Sequence, residues 1–102
     1  MMAVKTVTAA TVYHPDWETT EICYVADTTS NVMTIKLGTA KDSTGQTIFV
    51  KKYVAAGSLT VSASTGQTID GSGSLAATDI YARIRLVSNG ANWDVISLKD
   101  FA

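Results

Sequence analysis

The chain has one proline, one cysteine and one histidine among its 102 residues, and each scarcity excludes something. A single thiol, Cys23, rules out an intrachain disulfide and a cysteine zinc cluster, and with them a disulfide-stapled secreted scaffold. With His14 the only imidazole, one Cys–His dyad is available. Nothing in the local sequence lowers the thiol pKa, and a lone cysteine in an alternating strand ordinarily packs as a small hydrophobe. Charge is scarce too, at 17% of residues with a formal net charge of −1. Beyond Lys51-Lys52 no basic residues cluster, so the converging cations that a phosphate backbone requires are missing and no nucleic-acid partner is expected. No run of about 18 apolar residues is available to span a bilayer. The N-terminus lacks a basic-then-apolar leader, so the expectation is synthesis in a cytoplasm without a signal peptide.

What is present is β-branched and apolar. Hydrophobic residues make up 46% of the chain, too many for a disordered polymer, and the wealth of Val and Thr favours strands. Residues 80–88 alternate, with Ile80, Ala82, Ile84 and Leu86 on one face and Tyr81, Arg83, Arg85 and Val87 on the other, the period of a strand. Asn89-Gly90 follows as a hairpin signal, because both residues tolerate positive φ, and Trp93, Val95 and Ile96 return along a partner strand. Upstream, residues 3–13 are β-prone and end at His14-Pro15-Asp16, where proline removes a donor. Residues 20–26 form a further strand before the turn cluster Asp27 to Asn31. Residues 32–37 place Met33, Ile35 and Leu37 inward and Thr34 and Lys36 outward. Thr47–Val54 and Leu59–Ala63 complete the set. No window has apolar residues at helical spacing with caps, so helix is limited to a short turn around 74–79.

The hexapeptide Ser-Thr-Gly-Gln-Thr-Ile occurs at 43–48 and again at 64–69. Two copies are too few for a solenoid, and the pattern reads as a reused turn into strand in which glycine allows the bend. Candidate chemistry is thin. His14, Asp16, Glu18 and Glu21 match no metal-site spacing and read as a solvated acidic loop. Counted from Asp70, the twelfth position of a calcium loop is Tyr81, which supplies no carboxylate. Gly71, Gly73 and Ala76 match a dinucleotide fingerprint in letters, but the segment leads into a strand and not a helix. Trp17 and Trp93 are candidate sugar-stacking platforms, although tryptophan in an alternating strand more often packs in a core or an interface. No catalytic constellation emerges, and neither cofactor nor metal is expected.

Five segments then come in a fixed order: Met33-Thr34-Ile35-Lys36-Leu37, Gly45 to Lys52, Leu59-Thr60-Val61, Gln67-Thr68-Ile69-Asp70-Gly71-Ser72, and Ile84 to Ile96. Together they resemble a small β-module of tailed-bacteriophage virion proteins found in tail fibres, head fibres and capsid decoration proteins. The resemblance covers about residues 20–97, with Leu37-Gly38 standing where the family usually has proline. It implies an all-β fold: a compact antiparallel β-sandwich or barrel-like, jelly-roll-like module of about seven to eight short strands. Residues 1–19 would form an N-terminal arm or first strand, and residues 20–102 a single β-domain.

The implied function is structural, in the virion, with capsid decoration or a head fibre favoured over a tail-fibre module contacting host-surface glycans or a tail assembly adaptor. The start at Met1, the single-module length and the candidate arm favour decoration. Implied partners are further copies of itself, as a homotrimer, and the major capsid protein or another virion protein. The candidate interface residues are Tyr81, Arg83, Arg85 and Val87 of the mixed strand face, because Tyr and Arg are enriched at interfaces, together with Tyr13 and Trp17.

Overall fold

A computed structural model describes residues 3–8, 11–13, 21–26, 32–38, 45–54 and 56–101. Nine strands lie among them: β1 (Ala3–Val7), β2 (Thr11–Tyr13), β3 (Glu21–Ala26), β4 (Val32–Lys36), β5 (Thr47–Lys52), β6 (Ser58–Ser62), β7 (Ser74–Ala77), β8 (Arg83–Ser88) and β9 (Trp93–Lys99). They form two sheets, one ordered β1-β3-β5-β8-β9 and the other β2-β4-β6-β7. The all-β, two-sheet expectation holds.

The sandwich-like module is present, with antiparallel pairing in β5–β8, β8–β9 and β6–β7 and parallel pairing in the rest. The first six strands alternate between the sheets, and each from β3 to β6 pairs in parallel with the strand one turn earlier. Ala3 lies beside Ile22 and Ile22 beside Ile48 in one sheet; Val12 lies beside Ile35 and Ile35 beside Val61 in the other. Parallel neighbours need a crossover connection, and here the crossover is itself a strand of the opposite sheet. The result is three turns of a flattened β-roll with turns of unequal length. Antiparallel pairing closes it, through β5–β8 and β8–β9 on one side and β6–β7 on the other. Thus a wound stack is present after all, but the hexapeptide is not its repeat: one copy opens β5, while Ile69 of the other makes only isolated bridges, to Ser72 and Trp93.

The core lies between the sheets. Met33, Ile35, Leu37, Leu59 and Val61 face Ile48, Val50, Ile84 and Leu86, with Ile69, Trp93 and Phe101 filling the closed end. The alternation of residues 32–37 is therefore as the sequence predicts. Two local expectations are corrected. Residues 74–77 are strand β7, not helix, because they pair with β6. The strand expected from residue 80 begins at Arg83: Tyr81 has φ of +62°, which breaks the alternation and leaves Ile80 41% exposed.

Two glycine-assisted reversals shape the closed end. In the Asp70-Gly71 turn both residues have positive φ, at 48° and 86°. Ile69 and Ser72 exchange both backbone hydrogen bonds across it, at 2.6 and 2.9 Å. That is the type I′ geometry an Asp-Gly pair suits. The β8–β9 hairpin also forms, but over Asn89–Asn92, with the Asn89 amide donating to the Asn92 carbonyl. The Asn89 Oδ1 caps the loop by accepting from the Ala91 and Asn92 amides, each at 2.9 Å.

Candidate interaction face

Strand β8 buries Ile84 and Leu86 between the sheets, so its alternate residues Arg83, Arg85 and Val87 project from the outer face of the five-stranded sheet. On β5, which buries Ile48 and Val50, Phe49 and Lys51 face outward by the same alternation. Antiparallel register sets Phe49 opposite Arg85 and Lys51 opposite Arg83. On the far side of β8, Arg85 is opposite Ser97 and Arg83 opposite Lys99. Two cross-strand rows result: Phe49–Arg85–Ser97 and Lys51–Arg83–Lys99.

The Arg85 guanidinium lies over the Phe49 ring, 4.7 Å from its centroid. This cation–π packing accounts for an otherwise awkward feature, the buried Arg85 Nε that has no hydrogen-bond partner: ring contact stands in for part of the lost hydration. The Lys51 Nζ sits 5.2 Å from the Tyr81 centroid. Tyr81, 51% exposed, is held at the edge of this face by its backbone. Its amide donates to the Lys52 carbonyl at 2.6 Å, while the Lys52 amide donates to the Ala82 carbonyl at 2.9 Å.

Of the residues singled out from sequence, Arg83, Arg85 and Val87 share one face, and Tyr81 joins it from a turn rather than from the strand. Tyr13 ends β2, in the opposite sheet, beside Lys36 in register; its side chain, and all of Trp17, lie outside the described residues. So do His14, Asp16 and Glu18 of the acidic loop. Phe49, Lys51 and Lys99 were missed as members of the face. Alternation along β5 turns Phe49 and Lys51 outward, and only strand pairing shows that they flank Arg85 and Arg83.

The other candidates resolve into structure. Trp93 is fully buried and its indole N–H donates to the Gly38 carbonyl at 3.3 Å, so it is no sugar platform. The Asp70 carboxylate is taken by the Val95 amide at 3.0 Å. Cys23 lies within β3, in register between Val4 and Phe49. Lys52, the last residue of β5, turns inward, its stem buried and its ammonium donating to the Val54 carbonyl at 2.5 Å. Burial holds its pKa below the ordinary lysine value, with the Asp79 charge acting in the opposite direction. No group of three or more His, Cys, Asp or Glu residues suited to a metal ion occurs among the described residues, and no helix among them is long and apolar enough to cross a membrane.

No protein-family model matches the chain, and no curated protein matches it either.

Proposed function

We propose that the chain is a non-catalytic structural module of a phage virion, a capsid decoration or head-fibre protein seated on the particle through the outer face of its five-stranded sheet. The observation that supports this reading is the way the last two segments of the resemblance interlock. The Trp93 amide donates to the Thr68 carbonyl, the Asp70 amide to the Trp93 carbonyl, the Thr68 amide to the Asn92 side chain and the Val95 amide to the Asp70 carboxylate. Segments 67–72 and 84–96 thus act as one device for closing the module. Their co-occurrence is then a property of the module, and not a coincidence of two separate turns.

In this reading the partners are further copies of the chain, as a trimer, and the major capsid protein or another virion protein. The testing experiment is localisation on intact particles by cryo-EM. Density repeating over the capsid shell is the expected result. Density confined to the tail tip would replace decoration by a receptor-binding role directed at host glycans, and a chain found on no particle would overturn the virion reading. The face itself is tested separately: Arg85→Glu is expected to weaken assembly while leaving the monomer folded, and an unchanged oligomer mass would remove this face from consideration.

A further inference from the structure

The Lys51–Arg83–Lys99 row sets three like charges side by side on three neighbouring strands, all exposed. Like charges directly opposite one another across a sheet are destabilising, and a sheet that needed only solubility would interleave the signs. The carboxylates of Asp70 and Asp94 lie toward the other end of β8, where Asp94 pairs with Val87. Closer to the row, Asp79 acts on the buried Lys52, and Asp100 follows Lys99 just past the end of β9. Arg85 lies two residues along β8, on the same face, and extends the positive field. This concentration stands out in a chain whose formal net charge is −1.

We infer that this row, with Arg85 beside it, is a docking site for an acidic protein surface; the inference rests on the outer face of the sheet being the contact face. Charge complementarity favours carboxylates as the incoming groups, since guanidinium forks bind them in pairs. One observation favours an acidic protein over a nucleic acid. Single-stranded nucleic acid binds on open aromatic faces, whereas here Arg85 covers Phe49 and Lys51 sits over Tyr81. With a formal net charge of −1 the chain offers no long-range attraction to any polyanion, so recognition depends on a local match of three or four charges.

The test uses the full chain with poly-L-glutamate as the probe and an oligothymidylate of equal charge as the comparison. Poly-L-glutamate is expected to bind, with backbone amide shifts centred on residues 51, 83, 85 and 99. Raising salt from about 50 to about 500 mM should weaken that binding by roughly tenfold or more. The double variant Arg83→Gln, Lys99→Gln is expected to lose at least about tenfold in affinity while keeping or raising its melting temperature, because it removes like-charge repulsion. If that variant fails to fold, Lys51→Gln and the salt series on the unmodified chain carry the same test. Tighter binding of the oligothymidylate, equal binding by the neutralised variant, or no binding of poly-L-glutamate would each overturn the inference. Particle localisation fails independently. A chain that binds poly-L-glutamate through this row yet sits on no particle would remove the virion reading alone, and the converse would remove the acidic-partner inference alone.

Discussion

The Asp70 carboxylate accepts the Val95 amide proton at 3.0 Å, which ties a two-residue reversal to the strand that begins with Trp93. The Asp70 amide meanwhile donates to the Trp93 carbonyl at 3.1 Å. One residue thus serves as a turn former, with φ of +48°, and as a side-chain clamp. Asp70→Ala loses the clamp and places an ordinary side chain in the left-handed region, for a combined loss of about 1–3 kcal/mol. Asp70→Asn keeps an acceptor oxygen and tolerates that backbone, so it should stay close to the parent. Urea midpoints of the two variants check this; equal losses would mean that the carbonyl-type acceptor is irrelevant.

Trp93 ties the closed end to the loop after β4 through the indole N–H to the Gly38 carbonyl. Trp93→Phe removes that bond together with core volume, for an expected loss of about 1–3 kcal/mol, and Trp93→Ala opens a cavity costing about 3–5 kcal/mol. Chemical denaturation measures both. A Trp93→Phe variant as stable as the parent would show that ring burial alone fixes this corner.

How much of this was legible beforehand follows from which distances along the chain carry the signal. The inward set Met33, Ile35 and Leu37, the Asn89-Gly90 hairpin and the return strand from Trp93 are short-range patterns, and all three are present. The winding is not short-range. A period-two strand looks the same whether its neighbour runs parallel or antiparallel, so nothing local in Ile22 or Ile48 signals that they lie side by side. Tyr81 interrupts an alternation that continues unbroken in the letters, because its positive φ is imposed by the pairing of its amide with Lys52. At Arg85 and Leu86 a bulge shifts the register against β9 and leaves Ile96 exposed. Phe101 reaches the core just after Asp100, whose φ is +63°. The candidate face was half visible for the same reason: the outward residues of β8 can be read from one strand, but their neighbours Phe49, Lys51 and Lys99 require the pairing.

The two copies of the hexapeptide make a matched experiment. Gly45 and Gly66 have φ of +83° and +81°, and an added Cβ at either would meet no atom within 4 Å. The expected penalty for Gly45→Ala or Gly66→Ala is therefore backbone strain alone, about 1–2 kcal/mol and nearly equal at the two sites. Thermal melts of both variants test the equality. One neutral and one costly substitution would show that the copies share letters without sharing a conformation.

Lys52 gives the pH-dependent prediction. Its pKa in the folded chain is lowered, chiefly by burial, so the folded state sheds this proton before the unfolded state does. Below the depressed folded value both states hold the proton and the burial penalty is complete. Between that value and the ordinary one near 10.5, the unfolded state binds more protons, so this residue makes the chain more stable as pH rises. Lys52→Met removes the charge while keeping an apolar stem of similar length, and should match or exceed the parent in stability at neutral pH. Its advantage should then shrink as the solution is taken toward pH 10.5, because the parent's buried amine is losing its charge over that window. Urea midpoints of the two proteins across that range decide the matter, with other titrating groups cancelling in the comparison. A stability difference that stays constant with pH would mean that the Lys52 ammonium titrates as it would in water, and that its hydrogen bond to Val54 and the Asp79 field together offset its desolvation.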